Sequence, residues 1–229
     1  MIIRYELIDN LKEKQWLWSG SLSSQELGTH STGDKNLDSK LNGGFPTHGV
    51  IEVKSPSAIG ELRLLLPHIK NTSQDRLCVF IQPPGYLCTE QLVSLGINAN
   101  NILLIYPDNE QHALWAAEQC LRSGACSNVL MWHSGLEIHQ AKRLQVASER
   151  GQCLHFYIRT GSSELFSLPI TLNMTLSPHN LGLEVSVTRR KGGWLNERCI
   201  VDMTSTWPEL TIEPTNDALI LPFPMHQRG

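Results

Sequence analysis

Residues 55–62 have the position of a phosphate-binding loop, because they follow an apolar run, residues 49–53, and precede a leucine-rich stretch. In a loop of the pattern GxxxxGKS or GxxxxGKT, backbone N–H groups hold phosphate oxygens, the lysine pairs with the β- and γ-phosphates and the hydroxyl binds magnesium. Here Gly60 matches the second glycine, while Ser55, Glu61 and Leu62 replace the first glycine, the lysine and the hydroxyl residue. Two like charges about 4 Å apart repel by roughly 4 kcal/mol at an effective dielectric constant of about 20. The sequence therefore predicts a degenerate loop without a nucleotide cofactor.

Histidine and cysteine side chains are the other candidates for chemistry. His133 and His139 suggest acid–base work, but no serine or cysteine nucleophile stands in a recognisable elbow. We therefore expect surface or satisfied core histidines and no catalytic residue. The six cysteines contain no CxxC pair and fall mostly in apolar runs, so buried reduced thiols are expected rather than disulfides or a metal site. The cysteines are Cys78, Cys88, Cys120, Cys126, Cys153 and Cys199.

The totals fit one globular α/β domain. The chain has 229 residues, of which 41% are hydrophobic and 18% charged, and its formal net charge is −3. It lacks the basic excess that duplex DNA binding usually requires. The composition alone does not determine whether the protein contacts DNA directly. Its apolar runs are far shorter than the roughly 20 residues that span a bilayer, and no secretory signal is visible. We expect a cytoplasmic protein without membrane contact.

Hydrophobic periodicity predicts strands that alternate with helices up to residue 158, which implies a mostly parallel sheet with helices on both faces. The leucine-rich helix that starts at residue 61 is expected to be interrupted or to end near Pro67. After residue 165 the pattern is strand-like without helices, so the sheet should end in an antiparallel run with a hairpin turn at residues 190–193. The predicted strands are residues 49–53, 77–82, 102–106, 128–132, 153–158, 168–176, 183–188 and 199–203, and the predicted helices are residues 61–70, 88–95, 110–122 and 136–150.

Three regions divide the predicted domain: an N-terminal arm (1–30), a core (31–203) and a proline-rich tail (204–229). In the arm, Trp16 and Trp18 either anchor a partner or cover one edge of the core. Trp207 lies in the tail, which we expect to lie outside the core and to become ordered on binding a partner.

Basic residues cluster at the predicted hairpin. Arg189, Arg190 and Lys191 precede a Gly-Gly pair and Trp194. This cluster either contacts DNA phosphate or an acidic partner surface, with Trp194 as a stacking or anchoring group, or it is a solvated turn.

The order of several motifs resembles the opening of the RecA recombinase core. These motifs are Ser31-Thr32-Gly33, Leu37-Asp38, Leu41, Gly43-Gly44-Phe45-Pro46, Gly49-Val50-Ile51-Glu52, the degenerate loop and Leu77-Cys78-Val79-Phe80-Ile81. In that family the last of these strands runs into the carboxylate that activates the attacking water, whereas Gln82-Pro83-Pro84 follows here. A later strand should end in an acidic residue near magnesium, but residues 128–133 contain none. The resemblance implies a RecA-like fold that is not an enzyme.

Two sequence segments make the resemblance more specific within that fold. Residues 60–67 and 113–126 look like those of the ImuA proteins, accessory factors of damage-induced mutagenesis, and the cell-division inhibitor SulA shares the central part. The ImuA resemblance implies a role in the SOS response and translesion synthesis, with a Y-family polymerase-like subunit, a replicative-type polymerase and RecA as partners. The SulA resemblance implies instead that the protein binds FtsZ and blocks septation. Both roles depend on protein–protein contacts.

Overall fold

The computed structural model describes residues 28–56, 58–160, 168–190 and 196–208. From Gly49 to Arg159 the elements alternate between strands and helices. The strands are β1 (Thr29–His30), β2 (Phe45–Pro46), β3 (Gly49–Lys54), β4 (Leu77–Ile81), β5 (Ile102–Ile105), β6 (Cys126–Trp132), β7 (Leu154–Arg159), β8 (Leu172–His179), β9 (Gly182–Arg190) and β10 (Glu197–Asp202). The α-helices are α1 (Lys35–Lys40), α2 (Glu61–Thr72), α3 (Thr89–Ser94), α4 (Glu110–Arg122) and α5 (Ile138–Gly151), and a 3-10 turn covers Ala99–Asn101.

The central sheet has eight strands in the order β10-β9-β8-β3-β7-β6-β4-β5. Strands β8, β3, β7, β6, β4 and β5 run parallel to their neighbours in that part of the sheet, whereas β9 and β10 add an antiparallel end. Helical crossovers allow the parallel pairing, and the short β8–β9 turn requires the antiparallel one. The predicted α/β fold with a C-terminal antiparallel run is confirmed.

Apolar side chains cover both faces of this sheet because alternate strand residues point to opposite sides. Phe80 and Leu130 face a cluster that includes α1 and α2. Val79 and Val129, one residue earlier in each strand, face a second cluster that includes α4 and α5. Two layers of helices thus bury strands whose residues are apolar at nearly every position.

Helix α2 does not end near Pro67, and this expectation from the sequence was wrong. Pro67 lies inside the helix, which continues to Thr72. Buried residues on both sides of it, Leu66 and Ile69 among them, pack into the core. Their burial outweighs the roughly 3 kcal/mol cost of an internal proline. The ring also fills space beside Gly33, where an added Cβ would lie 2.3 Å from Pro67 Cβ.

The expected arm and tail overlap with the core at their inner ends. Thr29 and His30 form β1, which pairs antiparallel with β2, and the residues before Gly28 lie outside the described part of the chain. Trp207 packs against the core cluster of the α2 face, although the tail from residue 204 was expected to lie outside the core. None of the described helices is long and apolar enough to span a membrane.

Candidate functional site

The degenerate loop connects the carboxyl end of β3 to the first turn of α2. Ser55 is buried, its N–H donates to Arg159 O at 3.0 Å, and its hydroxyl donates to Pro56 O at 2.8 Å. Gly60 caps the helix with φ 102°, a left-handed conformation that favours glycine. The glycine that the phosphate-loop pattern retains is therefore required by the turn, whether or not a ligand is bound.

Glu61 occupies the place where the pattern has a lysine, and its carboxylate turns back to the loop. The residue is only 6% exposed, and its Oε2 accepts a hydrogen bond from Ile59 N at 3.1 Å. A carboxylate is favourable in the first turn of a helix because the N-terminal end carries a partial positive charge. The Glu61 carboxylate thus accepts the hydrogen bond from Ile59 N and lies at the positively polarised end of α2, both of which a phosphate oxygen would use.

The next two residues of α2 face the protein rather than a metal ion. Leu62 is half-buried against the core cluster of the α2 face, so the position of the magnesium-binding hydroxyl serves packing. The Arg63 guanidinium lies 4.7 Å from the centre of the Trp207 ring, a cation–π contact between α2 and the start of the tail. The first turn of α2 thus presents an acidic, an apolar and a covered side chain where the phosphate-loop pattern has a lysine and a hydroxyl.

The carboxyl end of β4 carries an amide where the family pattern has a catalytic carboxylate. Gln82 adopts φ 55°, and its N–H donates to Ile105 O at 2.9 Å. Pro83 follows as a buried residue and Pro84 as an exposed one. None of these side chains can accept a proton from a water molecule.

The carboxyl end of β6 brings together a tryptophan, a histidine and a glutamate. Trp132 stacks on Phe80 with ring centres 6.5 Å apart. His133 is buried; its Nδ1 accepts from Gly135 N at 3.2 Å, and its Nε2 lies 4.0 Å from Glu110 Oε2. Glu110 lies 23 positions from His133 in the chain and was not among the residues predicted from the sequence. The Asn109 cap of α4 was the signal that could have placed Glu110 at this edge of the sheet.

His139 lies on the surface, whereas His133 is buried. The exposed His139 side chain contacts Glu137, with Nδ1 and Oε2 3.0 Å apart. His139 is thus a surface histidine and His133 a buried one.

A buried polar network holds four neighbouring strands of the sheet together. Arg159 Nε donates to Glu52 Oε1 at 2.6 Å, and Asn173 Nδ2 donates to Glu52 Oε2 at 2.5 Å. Thr188 Oγ1 donates to Asn173 Oδ1 at 3.0 Å. Burial lowers the pKa of the neighbouring Lys54. Charge is compensated within the network, whose role is to fix β3, β7, β8 and β9 relative to one another.

Metal ligands were not expected, and the described ranges contain no group of three or more His, Cys, Asp or Glu side chains placed to hold an ion.

The partner-binding candidates are only partly covered by the described residues. Trp16, Trp18, Lys191 and Trp194 lie outside them. Arg189 and Arg190 end β9, where their backbones pair with Asn173 and Leu172.

Trp207 is the candidate whose surroundings differ from the expectation. Its N–H donates to Met203 O at 2.7 Å, and its ring contacts Arg63 and the core. Trp207 therefore contributes to the fold of this chain, which leaves less of its ring for a partner.

An apolar surface that the sequence analysis did not single out lies at one edge of the sheet. Among the described strands, β5 is the outermost on its side, and Leu103 and Leu104 are each 40% exposed. Tyr106 follows β5, and Tyr86 follows the neighbouring β4; both side chains are exposed. We call Tyr86, Leu103, Leu104 and Tyr106 the edge surface. No described strand pairs with the outer side of β5. Such an edge strand is a typical place for another chain to add a strand.

The sequence profile of the family described as the RecA N-terminal domain matches residues 11–136. Protein RecA of Wigglesworthia glossinidia brevipalpis is 32% identical over 114 residues, which are 49% of this chain and 34% of that protein. Protein RecA of Delftia acidovorans (strain DSM 14801 / SPH-1) is 34% identical over 109 residues, 47% of this chain and 30% of that protein. The chain spans about a third of the length of these curated relatives.

Among solved structures, SulA from Pseudomonas aeruginosa is 30% identical over a region that covers 49% of this chain and 98% of that one. The TM-score of that superposition is 0.43.

Proposed function

Because this chain belongs to the RecA N-terminal domain family, we propose that it is a RecA-like accessory protein that acts by binding other proteins and does not hydrolyse ATP. The ImuA-like phrases at residues 60–67 and 113–126 lead us to place it in the SOS response to DNA damage, in support of translesion synthesis. Its partners would be a Y-family polymerase-like subunit, a replicative-type polymerase and RecA.

The contact of Glu61 with the loop is the observation that carries the non-catalytic half of this proposal. A phosphate oxygen could reach Ile59 N only by displacing the Glu61 carboxylate from its 3.1 Å hydrogen bond. The displaced carboxylate would then remain close to the phosphate, where like charges about 4 Å apart repel by roughly 4 kcal/mol at an effective dielectric constant of about 20. That repulsion corresponds to about a thousandfold loss of affinity.

The other two catalytic positions support the same proposal independently. In the family pattern, hydrolysis requires a carboxylate that activates the attacking water and a metal ion that bridges the phosphates. The two positions where the family pattern has acidic residues hold Gln82, after β4, and Trp132, at the end of β6, and neither of these side chains is a base or a magnesium ligand. Repairing the loop alone would therefore leave the reaction without two of its parts.

The edge surface supports the binding half of the proposal. Leu103 and Leu104 point to opposite faces of β5 and are equally exposed, so an extended partner segment could bury both while it pairs with the strand. Such a segment would carry apolar side chains on both of its faces. We take it to come from one of the proposed partners, which would add a strand outside β5.

Capture of the tagged protein from cells exposed to a DNA-damaging agent tests this function. We expect the polymerase-like subunit and RecA to be recovered, and Leu104→Lys to reduce that recovery at least tenfold, about 1.4 kcal/mol, since a lysine on an edge strand opposes strand addition. The matched control is Val146→Lys, which changes an equally apolar and more exposed side chain on α5. The control should recover both partners at the level of the unchanged protein.

Two results would contradict the proposal. Recovery of FtsZ without a polymerase subunit would favour the division-inhibitor role instead. ATP turnover by the purified protein that disappears on changing a residue of the loop would contradict the non-catalytic assignment.

A further inference from the structure

The outer side of β5 has none of the side chains that usually protect an edge strand. Residues 101–106 read Asn-Ile-Leu-Leu-Ile-Tyr, without a charge or a proline. Leu103 and Leu104 are each 40% exposed, and no described strand pairs with this side. Natural proteins protect an edge strand that lacks charges and proline by covering it with another segment. The composition of β5 therefore predicts a cover over this edge.

The backbone of β5 determines which groups a covering strand would pair with. Ile105 O accepts a hydrogen bond from Gln82 N at 2.9 Å, so the backbone groups of Ile105 point toward β4. In a strand, the N–H and C=O of one residue point to the same side, and successive residues alternate between the two sides. The N–H and C=O groups of Ile102 and Leu104 therefore point outward, away from β4.

The proline-rich tail contains a segment that matches this edge in length and composition. Residues 218–221 read Ala-Leu-Ile-Leu, four uncharged apolar residues against the four of β5, and they lie outside the described part of the chain. Pro222 follows and has no N–H to continue a strand. In an extended conformation these side chains alternate between two faces, as the exposed Leu103 and Leu104 do. We call residues 218–221 the tail segment.

The start of the tail lies within reach of β5. The Trp207 ring is 4.7 Å from the guanidinium of Arg63, in the first turn of α2, which follows the carboxyl end of β3. The strand order puts the place outside β5 five strand positions from β3, roughly 24 Å at about 4.8 Å each. Residues 208–217 can span up to about 33 Å when extended. The tail segment of the same chain can therefore enter at the carboxyl end of β5 and run antiparallel to it.

We propose that the tail segment adds an antiparallel strand to β5 of its own chain and covers the edge surface until a partner displaces it. The pairing gives the outward N–H and C=O groups of Ile102 and Leu104 backbone partners, and it covers apolar side chains on both faces of the strand. A partner that adds a strand at the same edge then binds more weakly, in proportion to the fraction of molecules whose edge is free. This effect on a partner rests on the proposed function, whereas the cover itself does not.

Hydrogen exchange of the full-length chain, followed residue by residue with NMR, tests the cover. We expect the Leu104 amide to be protected in the unchanged protein and to exchange roughly tenfold faster or more in Ile220→Asp, because a carboxylate in the paired segment would lose its water. The Ile105 amide, which points toward β4, should exchange at the same rate in both proteins and so reports that the sheet remains folded.

The matched control is Ile212→Asp, which makes the same change in the tail outside the tail segment and should leave the Leu104 amide protected. A synthetic peptide of residues 214–225, added to the Ile220→Asp protein, should restore that protection. Diluting the unchanged protein should not alter it, because the tail segment and β5 belong to one chain.

Three results would overturn the proposal. The first is a Leu104 amide that exchanges without protection in the unchanged protein. The second is a Leu104 exchange rate that is the same in Ile220→Asp and Ile212→Asp. The third is protection that disappears on dilution, which would assign the edge to a second copy of the chain. The isolated protein contains no partner, so none of these results counts against the proposed function, which partner capture tests separately.

Discussion

Replacing Arg159 by methionine should destabilise the protein strongly, because it removes the cation from a deeply buried ion pair. Arg159 Nε and Glu52 Oε1 are 2.6 Å apart, and the two side chains are only 8% and 2% exposed. Without the guanidinium, Glu52 would keep the Asn173 amide as a hydrogen-bond donor but lose its counter-charge. Breaking a buried pair from one side costs about 3–5 kcal/mol, so we expect the free energy of unfolding to fall by about 4 kcal/mol.

Urea and thermal unfolding, followed by circular dichroism, measure this loss. For a domain of about this length, 1 kcal/mol changes Tm by roughly 2–4 °C, so the expected decrease is about 8–16 °C. The matched control is Lys40→Met, which breaks the Lys40–Glu197 pair at 2.8 Å, where the side chains are 40% and 43% exposed. Because water screens an exposed pair, this control should lower Tm far less than Arg159→Met.

A double variant, Glu52→Leu with Arg159→Met, separates the cost of an unpaired charge from the cost of lost packing. Since both charges are then absent, we expect it to recover most of the lost stability and to retain a cost of about 1–2 kcal/mol for Asn173, which loses its acceptor. The reasoning is refuted if Arg159→Met lies within about 1 kcal/mol of the unchanged protein, or if the double variant is as unstable as the two single changes added together.

Three further predictions concern the loop, the tail and a buried histidine. Glu61→Lys with Leu62→Thr should show no ATP hydrolysis in a phosphate-release assay, because Gln82 and Trp132 still occupy the positions of the general base and the metal ligand; turnover above background would show that those positions are misassigned. Trp207→Ala should lower Tm by several degrees, since the ring packs on the core and on the Arg63 guanidinium; an unchanged Tm would contradict this. Burial lowers the pKa of His155 from 6.5 to about 4, so the unfolded chain binds a proton first and the free energy of unfolding should fall as pH drops from about 6.5 to about 4. His155→Leu should show a smaller fall over that window in urea titrations, and an identical pH profile would refute the assignment.

Local patterns in the sequence were sufficient to predict the fold class. Apolar runs with the length of strands alternate with amphipathic segments, and a chain with that alternation can bury its strands only between two layers of helices. The change of pattern after residue 165 likewise indicated the antiparallel end of the sheet. These features depend on side-chain periodicity, which is a property of neighbouring residues.

Pro67 and Trp207 show where local patterns gave the wrong expectation. A proline disfavours a helix by a few kcal/mol, and a proline-rich stretch disfavours regular packing, but both are local preferences. The core cluster of the α2 face buries residues on both sides of Pro67 and takes in the Trp207 ring as well. Contacts between distant segments outweighed the local preference in each case.

Some features of the candidate site were predictable from the sequence, and others depend on the tertiary structure. The residue types at Ser55, Gly60, Glu61 and Leu62 were sufficient to predict that the phosphate loop is degenerate, because the charge and the missing hydroxyl are properties of the side chains themselves. Only the tertiary structure showed that Glu61 hydrogen-bonds the loop rather than facing solvent, because this contact depends on how β3 and α2 are oriented on either side of the loop. It also decided that β5 lies at an edge, because strand order follows from the three-dimensional packing of the crossovers and not from the order of strands in the chain.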